Sequence, residues 1–424
     1  MGSNQPLIFV PGLLGTIGDE IIPGTGELGF GPAGIVYNEF EDKLESIGYK
    51  KGKDLFNCFY NWKKPCAYNA QKYLSQEIEK AKHVSGCSKV NIIAHSMGGL
   101  ISQSYVCSTY YRNDVSKLIM IGCPNAGSTD AYYVWADGKI PERIGMRPFL
   151  FNVLLEGFLI MHILINKNKS VKELVHEEFE SIKELLPSLH FGKYTYYLDK
   201  DQIMKYIEYK NLMYQNTFLD QLNRNKDIYE KKRIKTFLIY GSGKATGKYI
   251  QLNDVVLDET GRVVDSGRVV GKVNSYEGDG TVLQKSAEEM MGIRYCIHNA
   301  SHTGLMMNGF PIIEKILSER AVPHFVKAEI RSKEYLGIIV LGNGKIHIET
   351  NHRSFTMKKQ FQMKDFYYLD IGKLKWIIME EKAKKPSIVY SSADNEKIHI
   401  VISQRNKMEH KIINASKATN IKIC

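Results

Sequence analysis

Lys89-Val-Asn-Ile-Ile-Ala-His-Ser-Met-Gly-Gly-Leu100 decides the fold. Its first half is an apolar strand-like run, Val90 to Ala94. Its second half opens at once into helical spacing, with Leu100, Ile101, Tyr105 and Val106 on one face. Strand, sharp turn and helix are the context in which a small-x-Ser-x-small motif carries chemistry. The turn presents the serine hydroxyl above the sheet edge, and the strain is tolerable only where the neighbours two residues away are small. Ala94 and Gly98 meet that need, and Gly99 lets the new helix lie close to the strand. Ser96 is therefore the candidate nucleophile. A serine capping an ordinary helix would explain Ser96 alone, but not the small residues on both sides of it.

Upstream, Leu7-Ile-Phe-Val10 reads as a buried strand running into Pro11-Gly-Leu-Leu-Gly15. A glycine turn after an early strand is where such hydrolases place one oxyanion-hole N–H. Leu13 is assigned that donor and Met97 the second. Downstream, the base and its orienting acid must follow in the order serine, acid, histidine. Asp279 in Glu277-Gly-Asp-Gly-Thr-Val282 and His302 in Ala300-Ser-His-Thr-Gly304 obey that order. His298 lacks the following Thr-Gly turn, and Asp254 and Asp258 read as parts of a hairpin over 255–270. His95 is expected to fill space under the elbow, with no part in proton transfer.

Strands and helices alternate from residue 7 to about 128, with helices near 36–49 and 67–82 and strands near 54–62 and 118–122. That rhythm predicts a mostly parallel, doubly wound sheet of the α/β-hydrolase type. It breaks over 129–232, which reads as a helical lid insert, and resumes over 233–320. Within the insert, residues 149–165 are the most apolar stretch, too short and too interrupted to span a membrane comfortably. Phe151, Leu155 and Phe158 of that stretch are expected to line a substrate channel. The glycine-rich residues 17–36 read as a flap or a plain surface loop. From 321 to 424 short alternating strands predict a separate β-rich domain of sandwich type.

Composition is that of an ordinary globular protein, with 43 % hydrophobic and 24 % charged residues in a chain of 424. Its net charge of +11 is uneven. Residues 322–424 hold 19 Lys and Arg against 10 Asp and Glu, hence nine of the eleven excess charges. The seven cysteines are an odd number without metal spacing, which favours a reducing, cytoplasmic setting. Cys58 and Cys66 could pair if the protein is exported. No secretory signal precedes the first strand, although Met1-Gly2-Ser3 has the look of a cloning remnant, in which case a leader is missing. No cofactor or metal is expected.

The Phe9-to-Gly15 turn, Gly-Tyr-Lys-Lys-Gly-Lys-Asp-Leu-Phe (48–56), Ala-His-Ser-Met-Gly-Gly (94–99) and Gly-Asp-Gly-Thr-Val (278–282) together resemble the lecithin:cholesterol acyltransferase family. The similarity extends over roughly residues 7–320. It implies an α/β-hydrolase that takes acyl chains from lipid esters through Ser96, Asp279 and His302, with a lid near the oxyanion turn.

The expected activity is thus a serine esterase, lipase or acyltransferase working through an acyl-serine intermediate. A soluble small-ester esterase or thioesterase is the alternative within enzymes. A surface-binding protein with a vestigial hydrolase domain is the alternative outside them. The expected partners are a lipid or acyl-ester substrate and an anionic membrane surface met by the basic C-terminal domain, with a membrane-peripheral location in that case. Lysines at 358–359, 373–375 and 382–385 with Phe366, Tyr367, Tyr368 and Trp376 among them motivate the second. A solvated β surface whose lysines block edge pairing accounts for the same charges. Nucleic acid is not expected.

Overall fold

Four consecutive apolar residues with no exposed face, Leu7–Val10, form the first strand of a parallel sheet, where burial on both sides replaces alternation. The computed structural model describes residues 5–139, 157, 159, 169–321, 325–328, 335–350, 353–356, 360–363, 366–380, 387–404, 407–415 and 419–421. Packing divides the chain into two compact units. One contains Met1–Leu13, Phe40–Pro141 and Ser170–Ser332; the other contains Leu14–Glu39, Glu142–Lys169 and Lys333–Cys424.

In the first unit the strands are β1 (Leu7–Val10), β2 (Leu55–Asn57), β3 (Val90–His95), β4 (Val115–Ile121), β5 (Thr195–Leu198), β6 (Met204–Tyr206), β7 (Lys235–Ser242), β8 (Thr246–Asn253), β9 (Val256–Leu257), β10 (Val263–Asp265), β11 (Arg268–Ser275), β12 (Ile293–His298) and β13 (Phe325–Lys327). Seven of them make one sheet in the order β13-β12-β7-β4-β3-β1-β2. All six pairings in it are parallel, with Val10 opposite Ala94 and Ala94 opposite Met120. Helix α1 (Gly34–Ser46) enters the unit at Phe40, which packs on Phe9 at 5.4 Å. Helices α2 (Cys66–Asn69) and α3 (Ser75–Ser85), joined by a π-turn over Ala70–Leu74, precede β3. Helix α4 (Met97–Cys107) leaves β3 directly. The doubly wound α/β sheet predicted from the elbow is therefore present, as an α/β-hydrolase arrangement.

The insert departs from the all-helical expectation. Helix α5 (Thr129–Asp137) and several short helices are there, but so are β5 and β6. Thr195-Tyr-Tyr-Leu is β-branched and aromatic, and it pairs in parallel with β8. The result is a second, four-stranded sheet in the order β11-β8-β5-β6. The expected hairpin forms as β9–β10, with its turn at Asp258–Gly261. The strand expected over 54–62 stops at Asn57, and the chain then turns inward to bury Tyr60 and Trp62. Phe151, Leu155 and Phe158 lie outside the described residues; Gly157 and Leu159 are helical and buried. The six cysteines among the described residues are free thiols, Cys58 and Cys66 included.

The second unit holds the expected β-rich domain. Strands Gln360–Met363, Phe366–Ile371, Leu374–Glu380, Tyr335–Leu341, Glu396–Gln404 and Lys407–Ala415 form one sheet in that order, and a four-stranded sheet faces it. Ile338, Ile377, Ile400 and Ile402 from the first sheet meet Ile346, Ile348, Ile388 and Tyr390 from the second in one core. The opposite face of the six-stranded sheet is also buried, and residues 14–39 and 157 pack there. A Cβ on Gly34 would lie 2.3 Å from Gln362 Nε2, and one on Gly157 would lie 2.4 Å from the Trp376 ring. This overturns the picture of aromatics exposed among lysines: Tyr367, Tyr368 and Trp376 are core residues, and Lys375 is buried as well. The Lys375 ammonium donates to the Gly342 and Gly372 carbonyls, which is how a buried cation is satisfied there.

Candidate active site

Ser96 sits between β3 and α4 with φ 53° and ψ −125°, a conformation a non-glycine residue holds only when its surroundings impose it. The Ser96 N–H donates to the Ile121 carbonyl at 2.9 Å, fixing the turn to β4. The small neighbours are required by contact. A Cβ on Gly98 would lie 2.3 Å from the Val10 carbonyl oxygen, and one on Gly99 would lie 2.2 Å from Cys123 Sγ. Ala94 is fully buried in β3.

The three residues singled out as nucleophile, base and acid come together. The Ser96 hydroxyl is 2.9 Å from His302 Nε2, and His302 Nδ1 is 2.8 Å from Asp279 Oδ2. Asp279 is 1 % exposed, and its other carboxylate oxygen accepts the N–H groups of Thr281 at 2.9 Å and Val282 at 2.8 Å. The backbone doubles the link, since the His302 N–H donates to the Asp279 carbonyl at 2.9 Å. One carboxylate oxygen is thus committed to the loop and the other to the imidazole, which holds Nδ1 protonated and leaves Nε2 to accept from Ser96.

The rivals lie elsewhere. Asp258 accepts from Thr260 and Arg262 in the hairpin turn, and Asp254 pairs with Arg268 at 2.6 Å. His298 Nδ1 lies 3.2 Å from the Ser242 hydroxyl. The β1 turn and the elbow abut, because a Cβ on Gly12 would sit 2.9 Å from Ser96 Cβ. Leu13 follows Gly12 in the β1 turn, and Met97 follows Ser96 in the elbow.

Four supporting residues were not evident from sequence. Tyr60 is fully buried and donates its hydroxyl to the Pro11 carbonyl at 2.7 Å, anchoring the turn that carries Leu13. Thr246 accepts the Gly280 N–H at 2.8 Å and so fixes the acid loop to β8. Gly122 adopts φ 59°, and a Cβ there would press on the His302 ring at 3.1 Å. His95 does more than fill space: its Nε2–H donates to the His302 carbonyl at 3.2 Å, and its ring lies 4.9 Å from the His302 ring. Burial holds the His95 imidazole at about 3, so it stays neutral beside His302. Tyr60 stands in a stretch of aromatics that gives no hint which one reaches Pro11.

No curated protein matches the chain in sequence. Among solved structures it is similar to the Bacillus licheniformis lipase BlEst2 in propeptide form, at 14 % identity over 96 % of this chain and 75 % of that one, with a TM-score of 0.42. Similarity to the mature form of the same lipase has 14 % identity over 75 % of this chain and 93 % of that one, with a TM-score of 0.42. The Tle4–Tli4 complex is matched at 11 % identity over 74 % of this chain and 98 % of that one, with a TM-score of 0.40. The family match covers residues 29–188, the stretch that includes the elbow and Ser96, and it is to the lecithin:cholesterol acyltransferase family that the turn motifs also point.

Proposed function

We propose that the protein is a serine hydrolase or acyltransferase that removes an acyl chain from a lipid ester through an acyl-Ser96 intermediate. The observation that carries this reading is the unbroken line from Asp279 through His302 to Ser96, at 2.8 and 2.9 Å, ending on a strained elbow. Each hydrogen bond prepares the next. Asp279 fixes the imidazole tautomer, Nε2 takes the proton as Ser96 Oγ attacks the ester carbonyl, and the oxyanion forms between the N–H groups of Leu13 and Met97. Collapse breaks the ester C–O bond, and the imidazolium returns the proton to the leaving alcohol. Water or a second alcohol then attacks the acyl-enzyme by the same route, giving hydrolysis or transfer. The family match over residues 29–188 supports lipid as the source of the ester. Phe151, Leu155 and Phe158 are proposed to line the acyl channel, in keeping with the apolar character of their stretch.

Rapid mixing with a p-nitrophenyl ester tests this. A burst of one nitrophenol per chain, absent in Ser96→Ala, is expected. A Ser96→Ala variant that keeps more than a tenth of the wild-type turnover would overturn the assignment. The lipid part is tested separately: long-chain esters in vesicles should be turned over faster than monomeric short-chain esters. Equal rates would favour a soluble esterase.

A further inference from the structure

Exposed apolar side chains are not spread evenly over this molecule. Among the described residues, eleven of the seventeen large hydrophobic side chains with substantial exposure fall between Leu198 and Tyr276. Five of these, Leu198, Met204, Tyr206, Val270 and Val273, stand on the four-stranded sheet beside the acid loop. One face of this sheet is core: Thr195, Ile250 and Leu252 are at most 2 % exposed. Register puts Leu198 opposite Met204 and Val273 opposite Tyr249, and the alternation along β5 and β8 sets these pairs on the other face with Tyr206. Leu198, Met204, Tyr206 and Val273 there are 38 to 44 % exposed, and Tyr276, just beyond β11, is 72 % exposed. The rings are gathered, with Tyr206 at 5.4 Å from Tyr249 and 6.1 Å from Tyr196. A cluster of exposed apolar side chains on one face of a sheet marks a place of contact.

The edges of the sheet do not suit strand addition. β6 has only three residues and carries Lys205, while β11 is irregular at Val269/Gly271 and at Val273/Asn274. A partner would therefore meet the face. Lys193 stands over the Tyr206 ring and Lys248 over Tyr249, at 6.0 and 5.6 Å, so aliphatic side chains, tyrosines and ammonium groups lie together on this side of the sheet. That mixture fits a bilayer surface, in which alkyl groups enter the acyl region and tyrosines and lysines stay at the headgroups. Much of the rim charge is already matched: Lys193 lies 2.8 Å from Glu208 and Lys205 lies 3.6 Å from Asp199. Attraction through this face is apolar and needs no anionic lipid.

We infer that the outer face of the β11-β8-β5-β6 sheet seats the protein on a phospholipid surface, zwitterionic lipid included. The inference deepens the lipid-ester reading and rests on it for the choice of lipid over protein. β8 and β11 run into the acid loop, where the Lys244 N–H donates to the Gly278 carbonyl at 3.0 Å and Thr246 holds Gly280. A membrane seated there lies against the strands that carry Asp279.

The test uses phosphatidylcholine vesicles and the full chain carrying Ser96→Ala, so that binding is read without turnover. Co-sedimentation of this protein should fall at least tenfold when Met204→Asp and Val273→Asp are added, and 0.5 M salt should change it little. Tyr276→Trp, placed in the same background, should shift its emission to shorter wavelength on vesicles. An unchanged unfolding temperature checks that the aspartates have not disturbed the fold, and Met204→Leu should restore what Met204→Asp removes. Equal sedimentation of the aspartate variant would overturn the inference, as would an unshifted emission from the introduced indole on bound protein. A wild-type dimer that the aspartates dissociate would overturn it too, with a second copy as the occupant of this face. Because vesicle binding needs no chemistry, a failure of the Ser96 mechanism would show in the burst assay and leave this result readable.

Discussion

Asp279→Asn is the perturbation whose consequence follows most closely from the geometry. The carboxylate has two oxygens with separate duties: Oδ1 accepts Thr281 and Val282 N–H, and Oδ2 accepts His302 Nδ1–H. An asparagine has one acceptor oxygen and one donor nitrogen. Two backbone donors at 2.9 and 2.8 Å claim the oxygen, so the amide nitrogen is turned toward His302. Nδ1 must then accept, the ring proton moves to Nε2, and the atom facing Ser96 at 2.9 Å can no longer take its proton. Loss of the correct tautomer lowers acylation by about 10⁴-fold, or roughly 5 kcal/mol of barrier. Rapid-mixing measurement of the nitrophenol burst reads that step directly. Because the two loop hydrogen bonds survive, the unfolding temperature should change little. The Asp258→Asn variant, altered only in the hairpin turn, should acylate like wild type. An Asp279→Asn acylation rate within tenfold of wild type would refute the reasoning and send the search for the acid elsewhere.

Tyr60→Phe removes the hydroxyl that holds Pro11, and should cost about 1 kcal/mol in stability together with a several-fold fall in kcat; denaturant titration and steady-state kinetics read the two effects. Gly122→Ala places a methyl group against the His302 ring at a backbone φ of 59°, so its acylation rate should drop at least tenfold with KM near wild type. His95 gives the pH dependence a definite sign. Its folded value, lowered by burial to about 3, lies below its unfolded value near 6.5, so the unfolded chain binds the proton first. Stability from this group is full above pH 6.5 and declines as pH falls toward 3, at up to ~1.4 kcal/mol per unit. His95→Gln retains a donor for the His302 carbonyl and should flatten that decline in urea titrations between pH 6 and 4; an unaltered slope would show that other groups set it.

The sheet and the elbow were legible because their sequence signals are local. Buried parallel strands write themselves as unbroken apolar runs, and Ala94, Gly98 and Gly99 record contacts made within a few residues of Ser96. The order of Ser96, Asp279 and His302 could be read because flexible glycines and turn residues flank the last two. What could not be read depends on distant chain. Tyr60 and Pro11 are 49 residues apart, and His95 reaches His302 across 207. β5 and β6 read as part of a helical insert because β5 finds its partner in β8, some fifty residues on, and β6 pairs only with β5. The charge excess of 322–424 suggested a surface function, but charge does not say which face a strand buries. Trp376 and Tyr367 lie under residues 14–39 and 157, contacts that no local pattern announces.

The central claim is that Ser96 is the residue acylated, and the most direct measurement is site-resolved labelling by a serine-directed organophosphonate. Intact-mass spectra should show one adduct per chain, with activity lost in proportion, and fragmentation should place it on the peptide containing Ala94-His-Ser-Met-Gly98. Labelling should vanish in Ser96→Ala and become far slower in His302→Ala, whose nucleophile lacks the base 2.9 Å away. An adduct on another serine, or full inactivation with Ser96 unmodified, would contradict the account.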